Sequence, residues 1–121
     1  DFVLAQIAEL PPGKAVASAA LGQKFCGQAA INIIWTAVFR RNMAKYGHRG
    51  MRYILMDVGH IGQNLVLAAE GLELGSCPVA AFFDDELNGL LGVDGQEESA
   101  VYLTSVGRLA KRRRHVPSET E

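Results

Sequence analysis

The stretch from Gly50 to about Leu74 leaves the chain little choice but a long helix. Its apolar residues recur with a helical period, and Tyr53, Asp57, His60 and Asn64 follow i, i+4, i+7, i+11, which gathers them on one face. Ile54, Leu55, Met56, Val58, Ile61, Leu65, Leu67, Ala68 and Leu72 occupy the rest of the circumference, so the helix is expected to be largely buried. A polar group buried without a partner costs about 1–3 kcal/mol, so the polar stripe must be solvated, satisfied within a core or dimer interface, or turned to a ligand. Gly59 and Gly62 each weaken a helix by about 1 kcal/mol relative to Ala. With Ala68 and Ala69 they permit close approach of another backbone, and the expectation is a second helix, plausibly from a second subunit.

The other elements are shorter. Pro11-Pro12-Gly13 breaks whatever residues 1–10 form, either the end of a helix or a strand that docks elsewhere. Ala15–Leu21 reads as a short helix or a loop. Ala29–Phe39, AAINIIWTAVF, has the β-branched and aromatic content of a buried strand. Arg40–Arg49 reads as a polar connection with room for one helical turn. After the long helix, Gly75-Ser76-Cys77-Pro78 reads as an abrupt turn with Gly75 at the left-handed C′ position. Pro78–Ala81 then runs extended with small side chains, as a tight entry to a buried strand or as open backbone beside a flat ligand. Asp84–Leu91 reads as a helix capped by Asp84 or Asp85, Gly92–Glu98 as a turn, and Ala100–Val106 as a strand. Residues 108–121 form a charged tail. Strand, long helix, short strand, helix and strand in that order predict an α/β or α+β layered fold.

At 121 residues the chain makes one domain at most, with a modest core. A net charge of −1 demands no nucleic acid, membrane or acidic substrate. Cys26 and Cys77 lie far apart, which points to a reducing, cytoplasmic setting rather than a disulfide framework. Asp1-Phe2 opens the chain without a basic leader, and the missing initiator Met points to a processed or excerpted chain. The apolar run Ala29–Phe39 is too short to span a bilayer. Three histidines and two cysteines show no metal-ligand spacing. Neither a nucleophile elbow nor a glycine-rich phosphate loop is present. Lys111-Arg112-Arg113-Arg114 reads as a solvated tail, or more sharply as a phosphate clamp; acidic Glu119 and Glu121 and the lack of an aromatic platform count against nucleic acid.

Four stretches together resemble the nitroreductase family, and more closely its SagB-type dehydrogenase branch: KYGHRGMRY, the helix DVGHIGQNLVLAAE, then LELGSCPVAAFFDDE, and the late strand VYLTSVGR. The resemblance covers roughly Phe25–Arg108, the C-terminal half of such a domain, leaving 1–24 as a segment of uncertain structure and 109–121 as the tail. It implies a nitroreductase-like layered fold, FMN as cofactor and an intertwined homodimer around the long helix. Pro78, Val79, Ala80 and Ala81 would lie along the isoalloxazine, with a backbone N–H toward N5, and Arg108 and Lys111 would approach the phosphate. Lys45 and Tyr46 match the pair this branch links to proton removal while hydride passes to flavin, on a peptide azoline, nitro or quinone-like substrate.

The sequence departs from the family in two places. The Arg/Ser-rich helix that grips the flavin phosphate and ribityl chain has no counterpart before Pro11, and Glu73 stands where the family's turn is usually apolar. Another chain or an N-terminal part is then expected to complete the flavin site. The alternative is a shortened, non-catalytic dimeric module of the same family.

Overall fold

Strand β1 (Ile31–Val38) owes its extended form to Ile31, Ile33, Ile34 and Val38, whose branched Cβ atoms suit a pleated surface. It lies at one edge of a three-stranded antiparallel sheet ordered β1-β3-β2, with β2 at Leu74–Val79 and β3 at Glu98–Arg108 in the centre. The computed structural model describes residues 13–110. Register pairs Ile34 with Leu103 and Val79 with Leu103, and slips between Trp35 and Thr36, where Val101 is the extra residue of a bulge.

Helices α1 (Gly13–Ala19), α2 (Lys24–Gln28) and α5 (Asp84–Leu91) cover one face of the sheet. There Leu103 and Val79 meet Val16, Ala20 and Cys26, while Ala100 meets Ala19 and Leu87. Leu87, Leu103, Ala20 and Cys26 have no exposed surface, and burying a leucine so completely is worth roughly 2 kcal/mol. Two polar clamps fix this layer. Asn32 donates from Nδ2 to the Cys26 carbonyl and accepts from Ser105 at Oδ1, at 2.9 and 2.6 Å. Asn88 accepts from the Ala100 N–H at 2.8 Å and donates to Ser99 Oγ at 3.0 Å.

The opposite face carries α3 (Phe39–Tyr46), a 3-10 turn at Gly47–Arg49, and the 22-residue α4 (Gly50–Gly71). The predicted long helix and its N-terminal limit are observed; the Arg40–Arg49 connection holds more helix than one turn. Gly47, with φ of 60°, bends the chain between α3 and α4. Gly50 is forced by contact instead, since a Cβ there would stand 2.7 Å from Asn42 Oδ1.

Four expectations change. α4 is not buried round most of its circumference: Gly50, Ile54, Val58, Gly62 and Ala69 are buried, whereas Leu55, Met56 and Leu67 are each more than half exposed. Gly62 does make room for a close neighbour, but the neighbour is the Tyr102 ring of β3, 2.8 Å from where a Cβ would sit; Gly59 is open. Gly75-Ser76-Cys77-Pro78 is strand β2 rather than a turn. The reversal comes earlier, where Glu73 adopts the left-handed conformation with φ of 58°. The predicted cap of α5 also moves, to Phe83, and the aspartates sit inside the first turn. There they meet the positive end of the helix dipole. Residues 1–10 and most of the charged tail lie outside the described residues.

Candidate functional site

Lys45 and Tyr46 end α3, exposed, and the chain then bends at Gly47 so that Tyr46 meets α4. The Lys45 Nζ lies 5.1 Å from the centre of the Tyr46 ring, a cation–π distance. That ring meets Tyr53 of α4 edge-on, with centroids 5.0 Å apart. Asn42, Tyr46, Tyr53, Met56, Asp57 and His60 line an open groove of about 440 Å³ between the two helices. Three members of the polar stripe therefore share one groove, and their solvation explains why an apolar helix tolerates them. His60 Nδ1 lies 2.8 Å from the Met56 carbonyl. A carbonyl only accepts, so Nδ1 carries a proton and donates it, leaving Nε2 as the ring nitrogen free to meet a ligand. Nothing in the sequence separated this groove from a satisfied core stripe; the bend at Gly47, which folds α3 back on α4, creates it.

The segment expected beside a flavin ring is at the end of β2. Val79 sends its side chain into the core, while Pro78, Ala80 and Ala81 are exposed and small. Arg108, the expected phosphate contact, is exposed at the end of β3 opposite Leu74, whereas Pro78 pairs with Thr104. Four residues of strand separate the two positions, roughly 13 Å. Beside Arg108 lies a cavity of about 310 Å³ whose lining includes Gly75, Ser76, Cys77, Gly107 and Gln28. Small exposed residues at one end of β2 and a cation beyond the other are the residue types that a flavin ring and its phosphate would need. Lys111 lies outside the described residues.

The two halves of the expected site do not face each other within one chain. Counting about 100° per residue, the groove residues of α4 point roughly 150° away from the stripe Ile54, Val58 and Gly62 that contacts the sheet. They are level along the axis, because Gly62 touches Tyr102, whose neighbour Leu103 pairs with Val79. Lys45 and Tyr46 are therefore across α4 from Pro78–Ala81. Among the described residues no three His, Cys, Asp or Glu side chains gather as metal ligands, and no helix is long and apolar enough to cross a membrane. Both cysteines are free, Cys26 buried and Cys77 exposed.

Residues 1–108 match the model of the Nitroreductase family. Fold, match and the resemblances below agree, and the chain belongs to that family, whose members are consistent with flavin-dependent oxidoreductases. It is similar to the Methanocaldococcus jannaschii protein named "Putative nitroreductase MJ1384", with 42% identity over 96 residues, covering 79% of this chain and 47% of the other. The chain thus spans about half the length of that curated relative. A solved Anabaena variabilis "putative nitroreductase" is 40% identical with a TM-score of 0.72, over 78% of this chain and 19% of that one. Nitroreductase A from Vibrio parahaemolyticus shares the fold at a TM-score of 0.72 and 19% identity, over 87% of this chain and 48% of its own.

Proposed function

We propose that the chain supplies part of an FMN-dependent oxidoreductase of the SagB-type branch, working as a homodimer on a peptide azoline, nitro or quinone-like substrate. The observation that carries the reading is the Lys45–Tyr46–Tyr53 cluster on an open groove, in a chain of the Nitroreductase family. Pro78, Ala80 and Ala81 would hold the ring through backbone groups, and Arg108, with Lys111, would hold the phosphate. The bound flavin supplies a hydride acceptor or donor at N5.

The chain's own residues have simpler tasks. Tyr46 offers a phenolic O–H or oxygen to a proton on the substrate, with the Lys45 ammonium 5.1 Å from its ring centre. Tyr53 holds the Tyr46 ring edge-on. Because groove and β2 lie on different sides of α4, the groove of one protomer serves the β2 end of another. The exposed Leu55, Met56 and Leu67 give the second copy an apolar surface to cover. A chain segment preceding the described residues, or a separate chain, supplies further flavin contacts. A cytoplasmic setting suits the two free thiols.

The test is a visible spectrum of the purified chain with its mass in solution, repeated after reconstitution with FMN. A dimer with flavin absorbance, losing turnover on Lys45→Ala while keeping its flavin, is expected. A dimer that takes up no FMN would instead identify the non-catalytic module.

A further inference from the structure

Charge along this chain is sorted rather than mixed. Arg40, Arg41, Lys45, Arg49 and Arg52 follow one another with no acidic residue anywhere from Ile31 through Met56. Asp57 is the first acid reached, and it lies in the α3–α4 groove. Among the described residues the ion pair formed is Arg40 with Glu97 at 4.0 Å, which engages none of Lys45, Arg49 and Arg52. All three are exposed. Arg49 precedes Tyr53 by four residues and Arg52 precedes Met56 by four, so each stands about one helical turn from a groove residue on the same side of the helix.

The groove is consequently polar along its length. At one end Lys45 lies over the Tyr46 ring, and Arg49 and Arg52 stand exposed at the start of α4. Its middle has the two tyrosine rings and the Met56 thioether, surfaces suited to a flat unsaturated group. Its other end has the Asp57 carboxylate, an acceptor, and His60, whose Nδ1 is engaged by the Met56 carbonyl and whose Nε2 is left for a ligand.

We infer that the α3–α4 groove binds a planar organic anion, its anionic group toward Lys45, Arg49 and Arg52 and a hydrogen-bond donor toward Asp57 and His60. The inference rests on the proposed function only in taking this occupant for the substrate. Asp57 sets the orientation as well as accepting a bond, because it repels an anionic group placed at its end. A neutral analogue of the same shape keeps the ring contacts and loses the attraction of the cations. A ring with the anion but no donor keeps the cations and leaves Asp57 to water.

Titration calorimetry of the purified chain with 4-hydroxybenzoate, 4-hydroxybenzamide and benzoate tests this directly, without flavin chemistry. At low salt 4-hydroxybenzoate should bind about tenfold more tightly than its amide, since each exposed cation contributes roughly two- to fivefold. The advantage should shrink to about twofold or less near 0.5 M salt, as screening removes it. The Arg49→Gln/Arg52→Gln variant should bind acid and amide within about twofold of each other, and Asp57→Ala should erase the advantage of 4-hydroxybenzoate over benzoate. Circular dichroism checks that these exposed changes leave the fold intact. Equal binding of acid and amide by the unaltered chain, or an unchanged preference in the double variant, overturns the inference. So does an oligonucleotide that binds through the same arginines where 4-hydroxybenzoate does not. Flavin absorbance and reduction of a neutral quinone, read on the same samples, separate the two readings. A yellow, active protein indifferent to ligand charge overturns the groove assignment alone, and a selective but flavin-free protein overturns the proposed activity alone.

Discussion

Gly59 and Gly62 sit on the same helix three residues apart, and an alanine at each should act in opposite directions. Either change removes the cost of glycine in a helix, about 1 kcal/mol. At Gly59 nothing lies within 4 Å of the new methyl group, so Gly59→Ala should stabilise the folded chain by about 0.5–1 kcal/mol. At Gly62 the methyl would stand 2.8 Å from Cε1 and 3.2 Å from Cδ1 of Tyr102. Tyr102 cannot retreat freely, because its ring packs against Trp35 with centroids 5.8 Å apart. Overpacking of this kind costs about 1–3 kcal/mol, which cancels or exceeds the helical gain. Gly62→Ala should therefore be about 1–3 kcal/mol less stable than Gly59→Ala, a difference of roughly 5–15 °C in melting temperature for a domain of this size. Urea unfolding of both variants measures it. Equal stabilisation would show that the Tyr102 ring moves aside at no cost and that α4 does not need glycine to reach the sheet. The pair also reports on association: a loss of dimer in Gly59→Ala with the monomer stabilised would place a second copy against Gly59.

Thr104 has no exposed surface and its Oγ1 has no partner, so Thr104→Val should stabilise by about 1 kcal/mol in urea titration; destabilisation would mean that the hydroxyl is satisfied in solution. Glu73 holds a left-handed conformation that costs a non-glycine residue about 1–2 kcal/mol. Against the extra freedom of the unfolded glycine chain, about 0.4–1 kcal/mol, Glu73→Gly should yield a net gain near 1 kcal/mol, and a loss would refute the strain. Asp94 accepts from the N–H groups of Glu98, Gln96 and Glu97, and these bonds hold its carboxyl below the ordinary aspartate value. A lowered folded value means that its stabilisation is complete above the unfolded value and disappears as pH falls through the folded one. Asp94→Asn should thus be less stable than the parent at neutral pH and converge with it as acid protonates Asp94; a gap that persists there would refute the assignment.

Where one periodicity dominated, the sequence was a good guide to the fold. Ile31–Val38 and Glu98–Arg108 are strands because their branched residues suit a pleat, and Gly50–Gly71 is a helix because its apolar spacing fits no other element. The errors fell where local chemistry allowed two outcomes. Gly75 and Pro78 are turn formers, yet Pro78 is accommodated on an edge strand, where a missing N–H costs little. Glu73 takes the left-handed position that a glycine would occupy at less cost, because packing of β2 against α4 fixes where the chain reverses. Gly62 signalled a close approach correctly, but a glycine does not record whether its neighbour is a helix or a tyrosine ring.

The candidate site was harder to read for a different reason. Tyr46 joins Tyr53, Asp57 and His60, already gathered on one face of α4, only because Gly47 bends α3 back upon α4, and a single positive φ leaves no periodic trace. Pro78–Ala81 and Arg108 were singled out through the resemblance alone. Yet α4 stands between them and Lys45–Tyr46. A helix is about 10 Å wide, too thick for a side chain on one side to serve chemistry on the other. If both groups serve one reaction, the site closes only when a second copy presents its groove to the β2 end of the first. A mixed dimer separates this from a site contained in one chain. Take one parent carrying Lys45→Ala and another altered at the flavin segment by Ala80→Trp, each inactive as a homodimer. With a shared site, their heterodimer regains one of two sites, because one of its two pairings brings an intact groove to an intact flavin segment. With a self-contained site, each protomer carries one lesion and no activity returns.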